Sequence, residues 1–244
     1  MRTRRWSLTW EVGLIAAAIA LQTVHETTSY DAGFMYVDGV GIPAVLASVL
    51  LGMRSGVRVA VATALGIWAL DSSGLVGALL KLAATLGTIL AVRYATARAV
   101  LLLAGLAAFL MAGGTALLLR VLGGAALYLG IATVAGPLVA GAAAYAAAPG
   151  GGGAAAFPAP LSLRRLLIAL AGAVLLRGAL MVAGDLFFAV PVFFHEPAAE
   201  ALRAYPPETI FLWNGVQAVI DGASAWIVAG WAARHDAVTP AITV

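Results

Sequence analysis

"GLVGALLKLAATLGTIL", Gly74 to Leu90, holds the residue that decides how the chain is read. Lys81 sits at its centre and is the only lysine in the chain, with apolar or small residues on both sides. A helix that is apolar all round is buried in a large core or spans a membrane. A cation inside such a helix needs a partner or a wet cavity, because a charge near the bilayer centre costs several kcal/mol. The rest of the chain says which solvent surrounds that helix.

The 244 residues are 63% hydrophobic and 10% charged, with a mean hydropathy of +1.01. A soluble domain carries about 25% charge. A chain this apolar takes lipid as its solvent, and the fold class it implies is an all-α polytopic membrane protein. There is no cysteine, which excludes a disulfide framework and a thiolate metal site. The first twenty residues, "MRTRRWSLTWEVGLIAAAIA", also fit a basic signal peptide ending in Ala18-Ile19-Ala20. A first transmembrane helix is the preferred reading, since further apolar segments follow.

A membrane crossing takes about 20 apolar residues. About eight apolar segments are expected: Glu11–Thr23, Val40–Met53, Gly56–Leu70, Gly74–Val92, Ala99–Leu119, Gly123–Ala147, Arg164–Val190 and Thr209–Trp231. The second and third are short for full crossings, so a tilted or half-length helix is expected there. The stretch 148–163, which contains "APGGGGAAAFPAP", is a flexible linker. It lacks the lysine and hydroxyl of a phosphate loop. No nucleotide-hydrolysing motif is evident, so any energy comes from a gradient or a partner.

The loop charges support the count. With the N-terminus inside, Arg2, Arg4, Arg5, Arg54, Arg58, Arg93, Arg98, Arg164, Arg165 and Arg234 fall inside, and only Arg120 and Arg203 outside. This obeys the positive-inside rule. Glu26, Asp31, Asp38, Asp71, Glu196, Glu200 and Glu208 fall outside. The expected location is the cell membrane, multi-pass, with both termini cytoplasmic. The net charge of +3 therefore reflects topology, and no nucleic-acid partner is expected.

Four charges fall inside the segments: Lys81, Arg177, Asp185 and Asp221. Lys81 is roughly 10–15 Å deep and Asp185 roughly 9 Å, at about 1.5 Å per residue. Arg177 and Asp221 fall near mid-segment. Two cross-helix pairs are expected, Lys81 with Asp185 and Arg177 with Asp221. In "FLWNGVQAVID", Asn214, Gln217 and Asp221 share one helical face by i, i+3, i+7 spacing. A polar stripe in lipid faces protein or a cavity. Interhelical glue is the plain reading of each residue alone. Lys81, Asp185, Asn214 and Gln217 at one depth favour an outward-facing ligand pocket. His25, His195 and His235 have no metal-ligand spacing and are read as surface residues.

Four stretches now carry a resemblance: "YVDGVGIPAVLASVLLGMRSG", "DSSGLVGALLKLAAT", "MVAGDLFFAVPVFF" and "FLWNGVQAVID". In that order and spacing the chain resembles the substrate-binding S component of energy-coupling-factor vitamin transporters, most of all the riboflavin type. The resemblance implies a six-helix bundle. Residues 99–147 have no counterpart there and look like an inserted helical hairpin, all within a single transmembrane domain, 1–244. It implies no enzyme and no cofactor. It implies vitamin uptake: a riboflavin-like ligand captured from outside under a first-loop lid, then docking on a transmembrane coupling subunit driven by two ATPase subunits. It places Asp38, Lys81, Asp185, Asn214 and Gln217 at the substrate and leaves Arg177 with Asp221 as a structural intramembrane pair. It assigns docking to small residues of the first helix, Gly13 with Ala17 and Ala16 with Ala20. The chain departs from the pattern at Lys81 and Asp185, where the family has Asn, at Gln217 and Asp221, and at Gly41, which replaces a second loop acid. The paired departures, a cation and an anion where the family has two amides, fit an ion pair and leave a related small molecule open beside riboflavin.

Two rivals are weighed. "VAGDLFF" echoes the Gly-x-Gly-Asp of intramembrane aspartyl proteases, with Asp221 as the second carboxylate. Ala183 in place of the first Gly, and Arg177 near Asp221, oppose it. A stand-alone secondary transporter is the other, and no inverted repeat is evident for it.

Overall fold

The computed structural model describes residues 2–24, 30–31, 36–70, 74–148, 163–195 and 197–234. His25, Glu26, Asp71, Glu196, His235 and the linker between 148 and 163 lie outside the described residues. The elements are α1 (Arg2–Thr23), β1 (Tyr30–Asp31), β2 (Tyr36–Val37), α2 (Ile42–Leu50), α3 (Met53–Leu70), α4 (Gly74–Tyr94), α5 (Ala97–Phe109), α6 (Thr115–Leu122), α7 (Ala126–Ala147), α8 (Leu163–Gly184), α9 (Ala198–Ala204) and α10 (Pro207–Arg234). A π-helical segment, Asp185–Phe194, continues α8. The only strands among the described residues are the antiparallel pair β1–β2, with Tyr30 opposite Val37.

Four helical runs are long and apolar enough to cross a membrane: Met53–Leu70, Gly74–Tyr94, Ala97–Ala147 and Leu163–Val192. That is fewer than the eight segments expected. The apolar part of α1, Leu8–Thr23, is shorter than a crossing. Helix α2 has nine residues, about 13 Å of rise, or half a bilayer core. It is half-length because Gly41 and Pro43 start it late and Gly52, at φ 98, stops it. Helix α10 is 28 residues long but carries the polar stripe.

The segment expected as one helix over Ala99–Leu119 is broken. Ala112 leaves helical geometry and Gly113 takes φ 94, a left-handed value that glycine adopts freely. A side chain on Gly114 would place Cβ 2.5 Å from the Phe109 carbonyl oxygen. A second break follows at Gly123, φ 53. The run 97–147 therefore leaves one end of the bundle and returns to it. Two arginines mark that end. Arg54 Nε donates to the Tyr145 carbonyl at 3.0 Å, near the end of α7, and Arg93 Nη1 donates to the Ser48 carbonyl at 2.9 Å, near the end of α2. Both cations satisfy carbonyls that a helix C-terminus leaves open.

The hairpin is packed into the bundle rather than appended to it. Leu110, Ala126 and Val134 share a core with Leu80, Val182, Leu186 and Phe187. A side chain at Gly130 would meet the Phe187 backbone at 2.6 Å, so α7 and the π segment touch main chain to main chain. A second core joins α2, α3, α4 and α10 through Val45, Val59, Ile89 and Ala225. The outer faces are apolar: Leu101, Leu102 and Val121 are each more than 70% exposed. Trp68, Tyr94, Tyr128 and Trp231 are exposed near helix ends, as in the aromatic belts of membrane helices. From Trp213 to Trp231 on α10 the rise is roughly 27 Å, close to the bilayer core.

Candidate functional site

Five side chains from four parts of the chain meet inside the bundle. The segment before α2 dips between α4 and α10, because a half-length helix begins deep. It brings Asp38 down to Lys81. Lys81 Nζ donates to Asp38 Oδ1 at 2.8 Å and Oδ2 at 3.1 Å. Asp38 Oδ1 also accepts the Val40 amide at 2.9 Å. Gln217, from α10, holds the Asp38 backbone at two points. Its Oε1 accepts the Asp38 amide at 2.9 Å, and its Nε2 donates to the Asp38 carbonyl at 2.6 Å. Nε2 also lies 3.0 Å from Asp221 Oδ1, and Arg177 Nη1 donates to Asp221 Oδ2 at 2.9 Å.

Arg177 and Asp221 thus form the contact expected of them, and both are buried. The expected Lys81–Asp185 pair is not formed: Lys81 takes Asp38 instead. Asp38 reaches Lys81 because the outer loop descends with the start of α2, below the depth that its place outside the helices implies. Asp185 opens the π segment and is partly exposed. Asn214 is buried on the Gln217 face, and its Nδ2 donates to the Ile210 carbonyl one turn back at 3.0 Å. Gly13, Ala16, Ala17 and Ala20 lie on the exposed face of α1.

Gly41 also finds its reason here. A side chain at this position would place Cβ 2.3 Å from Asp221 Oδ2. The backbone of the dipping segment lies against the carboxylate, so no second acid fits.

One constellation escaped the sequence. Glu11, buried in α1, accepts the Ser55 hydroxyl and the Arg58 guanidinium, the latter at 2.8 Å, which staples α1 to α3. The apolar pattern starts the first segment at Glu11, but the helix starts at Arg2, so Glu11 lies well inside it. The apolar Val12–Leu21 run C-terminal to Glu11 hid this. Only the i, i+3 spacing of Ser55 and Arg58 hinted at a shared face.

Burial pushes the Asp38 carboxyl up, but the Lys81 ammonium, its hydrogen bond, the Val40 amide and the Arg177 charge outweigh it and hold the group below 3.8. A carboxylate with a lowered folded value stabilises the fold above its unfolded value and loses that contribution as pH falls through the folded one. The tether on Asp38 therefore holds through pH 5 and fails only below the ordinary carboxylate range. Amide exchange of Val40, corrected for its intrinsic pH dependence, should stay protected at pH 5 and lose protection on further acidification. Loss already near pH 6 would contradict the pairing.

No protein-family model, no curated protein and no solved structure matches the chain.

Proposed function

We propose that the chain is the membrane-embedded substrate-binding S component of an energy-coupling-factor vitamin importer. One observation carries this most: the end of the first loop is fastened through Asp38 to Lys81 and to the Gln217 amide, over the helix face that holds Asp221 and Arg177. A loop fastened over a polar helix face is what a lid over a binding site requires. In this reading the chain sits in the cell membrane as six helices plus the hairpin, with the Arg54 and Arg93 end and both termini cytoplasmic. It captures a small molecule from outside, riboflavin or a relative by the resemblance. It docks through the exposed Gly13, Ala16, Ala17 and Ala20 face of α1 on a coupling subunit with two ATPases.

A stand-alone carrier is the second reading, favoured by Asp185, a carboxylate in a membrane-length helix that no cation contacts among the described residues. The protease reading loses support, since both oxygens of Asp221 are engaged by Gln217 and Arg177.

Uptake into proteoliposomes separates the two. The proposal expects uptake of labelled riboflavin or a related vitamin only when the coupling subunit, both ATPases and ATP are present. Uptake by this chain alone under an ion gradient would replace it with the carrier.

A further inference from the structure

The charges inside the bundle do not cancel. Lys81 is matched by Asp38 and Arg177 by Asp221, each in a direct ion pair. Asp185 is a third carboxylate, and among the described residues it makes no hydrogen bond and no ion pair. The nearest cation on its helical run, Arg177, is committed to Asp221. With all five groups ionised, two cations face three anions. In a low-dielectric interior that surplus is costly, and either a proton on Asp185 or a bound positive charge removes the cost.

A second group is also incomplete. Arg177 is 2% exposed, and its Nε–H has no acceptor among the described residues. A buried donor without an acceptor costs about 1–3 kcal/mol. Two groups on one helical run are thus incomplete, Asp185 without a cation and Arg177 Nε without an acceptor among the described residues. Eight residues separate the two on one helical run, a rise of about 12 Å, which a vitamin-sized molecule spans.

The surroundings favour an organic cation over a metal ion. Phe188, Tyr205 and Phe211 are partly buried and pack against the core that holds Ala183, Leu186, Phe187 and Ala189, the sequence neighbours of Asp185. Aromatic faces attract cations. A hard metal ion needs several oxygen ligands, and no group of three or more acidic, histidine or cysteine side chains gathers among the described residues.

We propose that the substrate is an organic cation that also carries a hydrogen-bond acceptor, its positive group on Asp185 and its hydroxyl or carbonyl on Arg177 Nε. This deepens the binding-subunit reading and rests on it. Lys81, spent on Asp38, then serves the lid rather than the ligand.

The test uses the full chain purified from its own membranes in mild detergent. Native mass spectrometry identifies the retained small molecule, and equilibrium binding is measured for choline and thiamine as cations, riboflavin as a neutral probe and biotin as an anion. The inference expects the retained molecule, or a cationic probe, to bind at least tenfold more weakly to Asp185→Asn. It also expects that variant to melt no lower than the parent, because neutralising an unmatched charge relieves the fold. A neutral or anionic retained molecule, equal binding by Asp185→Asn, or no cation bound at all overturns the inference. A cation that binds as expected yet is transported without the coupling subunit overturns only the binding-subunit reading.

Discussion

Arg177→Met should cost the folded state about 3–5 kcal/mol, the loss found when one partner leaves a buried ion pair. Asp221 is fully buried, and Arg177 Nη1 supplies the only cation in contact with it among the described residues. Without Arg177 the carboxylate keeps the Gln217 amide and nothing that balances its charge. The double variant Arg177→Met/Asp221→Leu removes both charges and should recover most of the loss, since apolar replacements of buried pairs are often neutral. Reversible unfolding in mixed micelles reads both variants. A loss below about 1 kcal/mol in the single variant would mean that the pair is solvated and surface-like.

Gly41→Ala is the second large effect, expected at about 3 kcal/mol from overpacking combined with displacement of a pinned carboxylate. The backbone at Gly41 is ordinary right-handed helix, φ −77, so alanine suffers no conformational strain there. The whole cost is space: Cβ would fall 2.3 Å from Asp221 Oδ2, and Arg177 and Gln217 keep that carboxylate from moving aside. Gly39→Ala is the control. Its Cβ meets the Ile42 Cδ1 methyl at 3.3 Å, a flexible end that can yield. If the two variants unfold alike, the close approach of the first loop to α10 is wrong.

Much of this was legible in the sequence, for identifiable reasons. Composition set the helical class and the apolar helices, because no other solvent suits such a chain. The i, i+3, i+7 stripe placed Gln217 and Asp221 on one buried face, and a buried charge demands an opposite charge, which led to Arg177. The partner of Lys81 is not legible from depth along the helices, because Asp38 sits on no helix. A loop that descends into the bundle has no periodicity to reveal it. The shortness of the second segment was the available signal, since a half-length helix forces its preceding loop inward. The break at Ala112–Gly113 was signalled by the Gly113-Gly114 pair but masked by the apolar run on both sides. The Glu11 staple is hidden because the apolar run begins only after Glu11, while the helix begins at Arg2.

The central claim is that Asp38 ties the first loop to the bundle through Lys81 and Gln217. Amide exchange of Asp38 and Val40 in Lys81→Met, compared with the parent at neutral pH, tests it most directly. Charge-assisted hydrogen bonds are worth about 1.5–3 kcal/mol, so protection at both amides should fall about tenfold or more while α10 around Ala218 stays protected. Unchanged protection at Asp38 and Val40 in that variant would contradict the tether and the lid built on it.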